Sequence, residues 1–177
     1  MGAERHRVRW HRSPADHEKP AWTWRGQAVP FAAIQLPRDP ASAEPLSLTP
    51  LHLRAIADRS TIARAAIACE KIAGPVLLVS AGDDALWPSE LLSELAMERM
   101  QTRGHRFPHV HLRNPGAGHL FGIPNGPVTT RSLVQPLARV HIAFGGSAAA
   151  DARACRDSWR ATLAFLTEHV PPRRAGR

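Results

Sequence analysis

Two loops carry the side chains best suited to proton-transfer chemistry. One is Ser80-Ala81-Gly82-Asp83-Asp84-Ala85-Leu86-Trp87-Pro88-Ser89, and the other is Asn114-Pro115-Gly116-Ala117-Gly118-His119. A neutral imidazole can take a proton from a nucleophile and later hand it to a leaving group. A carboxylate on its other ring nitrogen fixes the tautomer and stabilises the imidazolium. Asp83 or Asp84 can supply that carboxylate and His119 the base, 35 residues after Asp84. Plainer roles compete with these. Either aspartate can sit at the start of the next helix, where the helix dipole favours acids. A loop histidine can simply bond a backbone carbonyl. Glycines on both sides of Ala117 let the second loop bend tightly and leave the imidazole tip clear.

Other candidates are weaker. Ser80 has Gly82 after it, but position 78 is leucine, so the G-x-S-x-G elbow is not formed. Neither G-x-S-x-G nor G-x-C-x-G occurs anywhere in the 177 residues. Cys69 and Cys155 fall inside predicted helices, where a thiol is an inert small hydrophobe. Two cysteines cannot build a disulfide framework or a four-cysteine zinc site. His109 and His111 share one face of a predicted strand and could chelate a metal, but no third ligand has the right spacing. No metal and no cofactor are expected. Trp22 and Trp24 read as lid or core anchors, and Trp87 as a packing anchor.

The elements that must position these loops follow from apolar period and turn signals. Residues 1–20 alternate charge and histidine without a usable period and read as a poorly ordered basic segment. Pro20, Pro30, Pro37, Pro40 and Pro45 make the stretch to residue 48 irregular. Thr49-Pro50 opens a helix that runs to about Cys69 with a break near Ser60, and Gly74-Pro75 stops it. Val76-Leu77-Leu78-Val79 reads as a strand buried on both faces. A helix from about Pro88 to Arg103 has Leu91, Leu92, Leu95, Ala96 and Met100 on its apolar side, and Gly104 closes it. His109 to Leu112 is a second strand. Residues 128–146 are poorly patterned. A last helix begins near Ser147 and runs to about His169, with Ala152, Cys155, Trp159, Leu163, Leu166 and Val170 along one side. Strand, helix, strand, loop, helix is the rhythm of an α/β open sheet. In such sheets, ligands and catalytic groups collect at the carboxyl ends of the strands, where both loops lie.

Composition sets the outer limits. A length of 177 residues suits one domain, since about 150 residues per domain is usual. Hydrophobic residues make up 44% and charged ones 21%, which excludes a collagen, a coiled coil and a fully disordered chain. No apolar run approaches the roughly 18 residues of a membrane span, so no membrane partner is expected. No apolar stretch follows the charged start, so no secretory signal is read and the cytoplasm is the expected compartment. The net charge of +8 invites a nucleic-acid reading. Its distribution argues against one: residues 1–26 hold six basic groups against three acids, and Arg173, Arg174 and Arg177 add three more. The remainder is nearly balanced, with no basic stripe interleaved with stacking aromatics.

Several stretches together resemble a known family. They are Ala21-Trp22-Thr23-Trp24-Arg25-Gly26 with Pro30-Phe31, GPVLLVSAGDDALWPS (74–89), NPGAGHL (114–120) and GGSAAADARACRDSWRATLAFL (145–166). Their order and content are similar to the C-terminal α/β-hydrolase region of the acyl-CoA thioester hydrolase / bile acid-CoA:amino acid N-acyltransferase (BAAT) family. The resemblance covers roughly residues 20–170. It implies the C-terminal part of an α/β-hydrolase fold, a partial parallel sheet with flanking helices, over residues 21–170, followed by a basic tail at 171–177. It places the acid on Asp84 and the general base on His119. It also implies an acyl-CoA or related thioester substrate and a triad of nucleophile, histidine and aspartate. Family members carry a serine or cysteine nucleophile on an elbow upstream of the tryptophan-rich segment, and no nucleophile is found in this chain. The expectation is therefore a thioester hydrolase-type domain truncated before its elbow and inactive alone. The alternative is a non-catalytic fragment or partner subunit that complements a separately encoded N-terminal half.

Overall fold

Each element forms where a start or stop signal coincides with an apolar run. The structure, a computed structural model, describes residues 20, 22–36, 44–122, 124, 126, 128–135 and 140–170. The expected basic segment up to residue 19 and the tail after residue 170 lie outside these residues. In chain order the elements are β1 (Thr23–Trp24), β2 (Gln27–Ala28), α1 (Thr49–Ala57), α2 (Arg59–Ala65), a single 3-10 turn (Cys69–Lys71), β3 (Val76–Ala81), α3 (Ser89–Thr102), β4 (His109–Asn114), β5 (Ser132–Gln135), β6 (Val140–Ala143) and α4 (Ala148–His169). They fall into two compact units.

The first unit holds the chain through Ile67 with residues 85–87 and 132–144. β1 and β2 form a hairpin whose turn residues Arg25 and Gly26 both have positive φ, at 49° and 78°. That is the twist a two-residue hairpin requires. Trp22 and Trp24 are each 59% exposed, so the expected core anchoring is not found. Arg25 instead lies over the Trp24 ring. The helix opened by Thr49-Pro50 breaks at Asp58, two residues before the expected place. The Asp58 carboxylate accepts from the Ser60 and Thr61 amides and caps a new helix, α2. These bonds and those from the two hydroxyls hold its carboxyl well below the usual range. The helix also stops at Ala65 rather than near Cys69, which heads the 3-10 turn. β5 and β6 pair antiparallel inside the stretch read as poorly patterned, and Leu46 adds a parallel bridge to Ile142.

The second unit holds residues 68–84, 88–131 and those from 145 on. Its centre is the parallel pair β3–β4, in register from Val76↔His109 to Ala81↔Asn114. Each strand runs two residues past its expected end. Alternate residues of β4 meet different helices, as the pleat dictates. Arg113 reaches Glu94 of α3 at 3.1 Å, while the Asn114 side chain meets Ser158 of α4 at 3.3 Å. Ala81, Ala117, Phe121 and Ala154 form a small core with Val79 against it. Met100 of α3 is fully buried.

α4 starts where expected, with the Ser147 hydroxyl accepting from the Ala150 amide. Its buried face differs from the expected one. Ala150, Asp151, Ala154 and Ser158 point inward, while Trp159, Leu163, Leu166 and Val170 are 45%, 46%, 46% and 60% exposed. Small side chains let the helix backbone come close to the floor at Ala81 and Ala117, and large ones on that face would hold it off.

The 3-10 turn is tied to α3 by Glu70 and Arg99, a bidentate pair with N···O distances of 2.5 and 2.9 Å. The Arg99 guanidinium holds Glu70 down at about 2, from the ordinary 4.5. A carboxylate with a depressed folded pKa adds stability above its unfolded pKa and loses it as pH falls. The stability gap between the wild type and Glu70→Gln, measured by denaturant titration, is therefore expected to close as pH falls from about 4.5 to about 2.

Candidate active site

The acid loop follows β3 directly, and the histidine loop follows β4 directly. Parallel pairing of the two strands therefore delivers both loops to one end of the sheet. Hydrogen bonds then hold them side by side. The Gly82 amide donates to the Asn114 carbonyl at 3.0 Å, and the Asp83 amide donates to the Ala117 carbonyl at 2.9 Å. Gly116 turns the second loop at φ 70°, a value that suits glycine. Ser89, at the start of α3, bonds both the amide and the carbonyl of Ala81 at 3.1 Å and fixes the end of β3.

Within this frame His119 Nδ1 lies 3.2 Å from Asp84 Oδ2. The Asp84 side chain is 3% exposed and that of His119 is 19% exposed. The backbone of Asp84 also bridges to Gly145 in antiparallel fashion. The two aspartates face different partners. Asp83 Oδ2 accepts from the Gly146 amide at 3.0 Å, while Asp84 faces the imidazole. An ionised carboxylate against Nδ1 would favour the tautomer with its proton there and would leave Nε2 as the basic nitrogen. Chemically, that arrangement can accept a proton at Nε2 and balance the resulting charge.

Ser80 and His111 form a serine–histidine contact at 2.7 Å. It differs in kind from a reachable nucleophile and base. Ser80 is 1% exposed, and His111 Nδ1 is buried with no hydrogen-bond partner among the described residues. Burial, with Arg113 beside it, pushes the His111 pKa down.

His109 does not share a ligand position with His111. Its Nδ1 lies 3.4 Å from His105 Nδ1 and 3.1 Å from the Phe107 carbonyl, and His105 Nε2 lies 3.0 Å from the Ile72 carbonyl. Among the described residues no group of three or more histidines, cysteines or acids could hold a metal ion. Neither cysteine is in a disulfide among the described residues; Cys69 is buried and Cys155 partly so. Trp87, read from the sequence as a packing anchor, is 43% exposed.

Sequence reasoning missed Asp151 and Arg131. Asp151 Oδ1 accepts from the Gly118 amide at 2.7 Å, and its Oδ2 lies 2.7 Å from Arg131 Nη2. Arg131 also donates to the Gly145 carbonyl at 2.8 Å.

A family model described as BAAT / Acyl-CoA thioester hydrolase C terminal matches residues 26–172. Curated proteins match a shorter stretch. A mouse peroxisomal succinyl-coenzyme A thioesterase is 36% identical over 104 residues, covering 59% of this chain and 24% of its own length. A mouse acyl-coenzyme A amino acid N-acyltransferase 1 is 35% identical over 101 residues, covering 57% of this chain and 24% of its own length. The human acyl-coenzyme A thioesterase 6 is 31% identical over 101 residues, with the same two shares. The matched stretch thus spans about a quarter of these relatives.

Proposed function

The chain belongs to the family described as BAAT / Acyl-CoA thioester hydrolase C terminal, and from that premise we propose that it supplies the acid and the general base for cleavage of an acyl-CoA thioester. The observation that carries this reading is the 3.2 Å contact between His119 Nδ1 and the buried Asp84 carboxylate. Its place at the carboxyl ends of two parallel strands supports it further. The partial α/β-hydrolase over residues 21–170 is part of the same proposal.

The proposed steps follow from the roles given to these two residues. A serine or cysteine nucleophile, absent from these 177 residues as an elbow motif, attacks the thioester carbonyl. His119 Nε2 takes its proton as the tetrahedral intermediate forms. The carbon–sulfur bond breaks, and the coenzyme A thiolate receives the proton from Nε2. Water then attacks the acyl-enzyme, giving its proton to His119, which returns it to the nucleophile. In the transferase branch an amine takes the place of water. Asp84 keeps the ring in the required tautomer throughout and offsets the charge of the imidazolium.

A second reading is a partner role, in which a separately encoded N-terminal half supplies the nucleophile. Two observations favour it. Among the described residues β3 and β4 form a parallel sheet of only two strands, an unusual state for a parallel sheet. Large apolar side chains on α4 and Val110 on β4 stand about half exposed. The substrate proposed is a thioester in either case. No helix among the described residues is long and apolar enough to cross a membrane. The cytoplasm is the proposed location.

One assay tests both readings. The 177-residue chain alone, given long-chain acyl-CoA, is expected to release coenzyme A at the rate of buffer. Addition of an elbow-bearing N-terminal half is expected to start a turnover that His119→Ala removes. Robust His119-dependent hydrolysis by the chain alone would overturn the missing-nucleophile account. Turnover indifferent to His119 in the assembly would overturn the base assignment.

A further inference from the structure

Asp151 is an acidic residue in the first turn of α4, and it is only 1% exposed. An acid at a helix start is ordinary on a surface, but burial of a carboxylate is costly unless it is paired and hydrogen-bonded. Helix capping does not explain it, because Ser147 already accepts from the Ala150 amide. The Asp151 carboxylate points away from its own helix. Oδ1 takes the Gly118 amide at 2.7 Å, while Oδ2 makes no hydrogen bond among the described residues and lies 2.7 Å from Arg131 Nη2 as an ion pair. Gly118 is the residue before His119. Arg131 in turn holds the carbonyl of Gly145, the backbone partner of Asp84.

We propose that Asp151, with Arg131 as its counter-charge, is a positioning residue for His119. Its carboxylate anchors the peptide that leads into the imidazole, while Arg131 links the same anchor to the strip that holds Asp84. The two loops are then set relative to each other by an ion pair, its carboxylate buried and its guanidinium 34% exposed, that touches neither reacting group. Hydrogen bonds to a charged acceptor are shorter and stronger than neutral ones, which suits an anchor that must hold one geometry. This role rests on the reading of His119 as the general base.

The test uses the isotopically labelled 177-residue chain and three variants, Asp151→Ala, Asp151→Asn and Asp84→Ala. Two signals are followed: hydrogen exchange of the Gly118 amide, and solvent exchange of the His119 Nδ1–H. The ring N–H of His105, near the Ile72 carbonyl, reports whether the second unit is still folded. Asp151→Ala is expected to speed Gly118 exchange by about tenfold or more, and to speed loss of the His119 Nδ1–H signal. Asp151→Asn keeps an acceptor oxygen but no charge, and is expected to fall between the wild type and Asp151→Ala. Where Asp151→Ala loses the His105 signal, Asp151→Asn alone decides. A folded Asp151 variant whose His119 Nδ1–H exchanges as slowly as in the wild type overturns the proposal. Asp84→Ala separates the two layers: it is expected to remove the His119 signal and leave Gly118 protected. Survival of that signal in Asp84→Ala would overturn the acid assignment, whatever the Asp151 variants do.

Discussion

Asp84→Asn is expected to slow acyl-CoA cleavage by about four orders of magnitude when the chain works with its nucleophile-bearing half. The loss comes from the tautomer. An asparagine side chain can turn its NH2 toward His119 Nδ1, which then carries a lone pair, and the proton moves to Nε2. The nitrogen that must accept a proton is then already occupied. Asp84 is 3% exposed at its side chain and its backbone bridge to Gly145 does not depend on the carboxylate. The fold is therefore expected to survive the change. Steady-state kinetics check this: kcat should collapse while KM changes little, because Asp84 touches the base rather than the substrate. An equal loss in Asp83→Asn would contradict the assignment, since the Asp83 carboxylate faces the Gly146 amide.

The second large effect is on stability. Gly146→Ala is expected to destabilise the chain by about 3 kcal/mol or more, at the severe end for a single substitution. Gly146 has φ 71°, a left-handed conformation that costs an alanine on its own account. Space is the stronger reason. A Cβ built there would stand 2.6 Å from the Gly118 Cα and 2.8 Å from Asp151 Oδ1. Gly118 and its neighbours are backbone, so no side chain can swing aside to make room. Denaturant unfolding measures the effect. Gly104→Ala makes a useful contrast: its φ is 69° but a Cβ there meets nothing within 4 Å. The contrast separates strain from crowding, and a similar loss in both variants would contradict the crowding argument.

Much of the second unit was legible in the sequence because its signals are local. Gly74-Pro75 and the apolar run after it mark β3. Ser147 before an apolar period marks the start of α4. The two loops after the strands could be seen, but the choice between Asp83 and Asp84 could not be read from residue type alone. It depends on which carboxylate faces His119 and which faces Gly146, a tertiary fact. The buried face of α4 was misread because large apolar residues give the louder period, whereas close approach to Ala81 and Ala117 selects small ones. β5 and β6 were missed because Leu133 and Val134 are adjacent and both 55% exposed, so no alternation marks the strand. Asp151 and Arg131 are 20 residues apart and meet only through the fold. Their pairing leaves no local trace.

The central claim is that Asp84 holds the His119 ring with its proton on Nδ1 and Nε2 as the base. Nitrogen-15 NMR of the His119 ring in this 177-residue chain measures that directly, at about pH 8, above the usual histidine range. The account predicts that the neutral ring carries its proton on Nδ1, and that Asp84→Asn transfers it to Nε2. A ring protonated mainly at Nε2 in the wild type would contradict it.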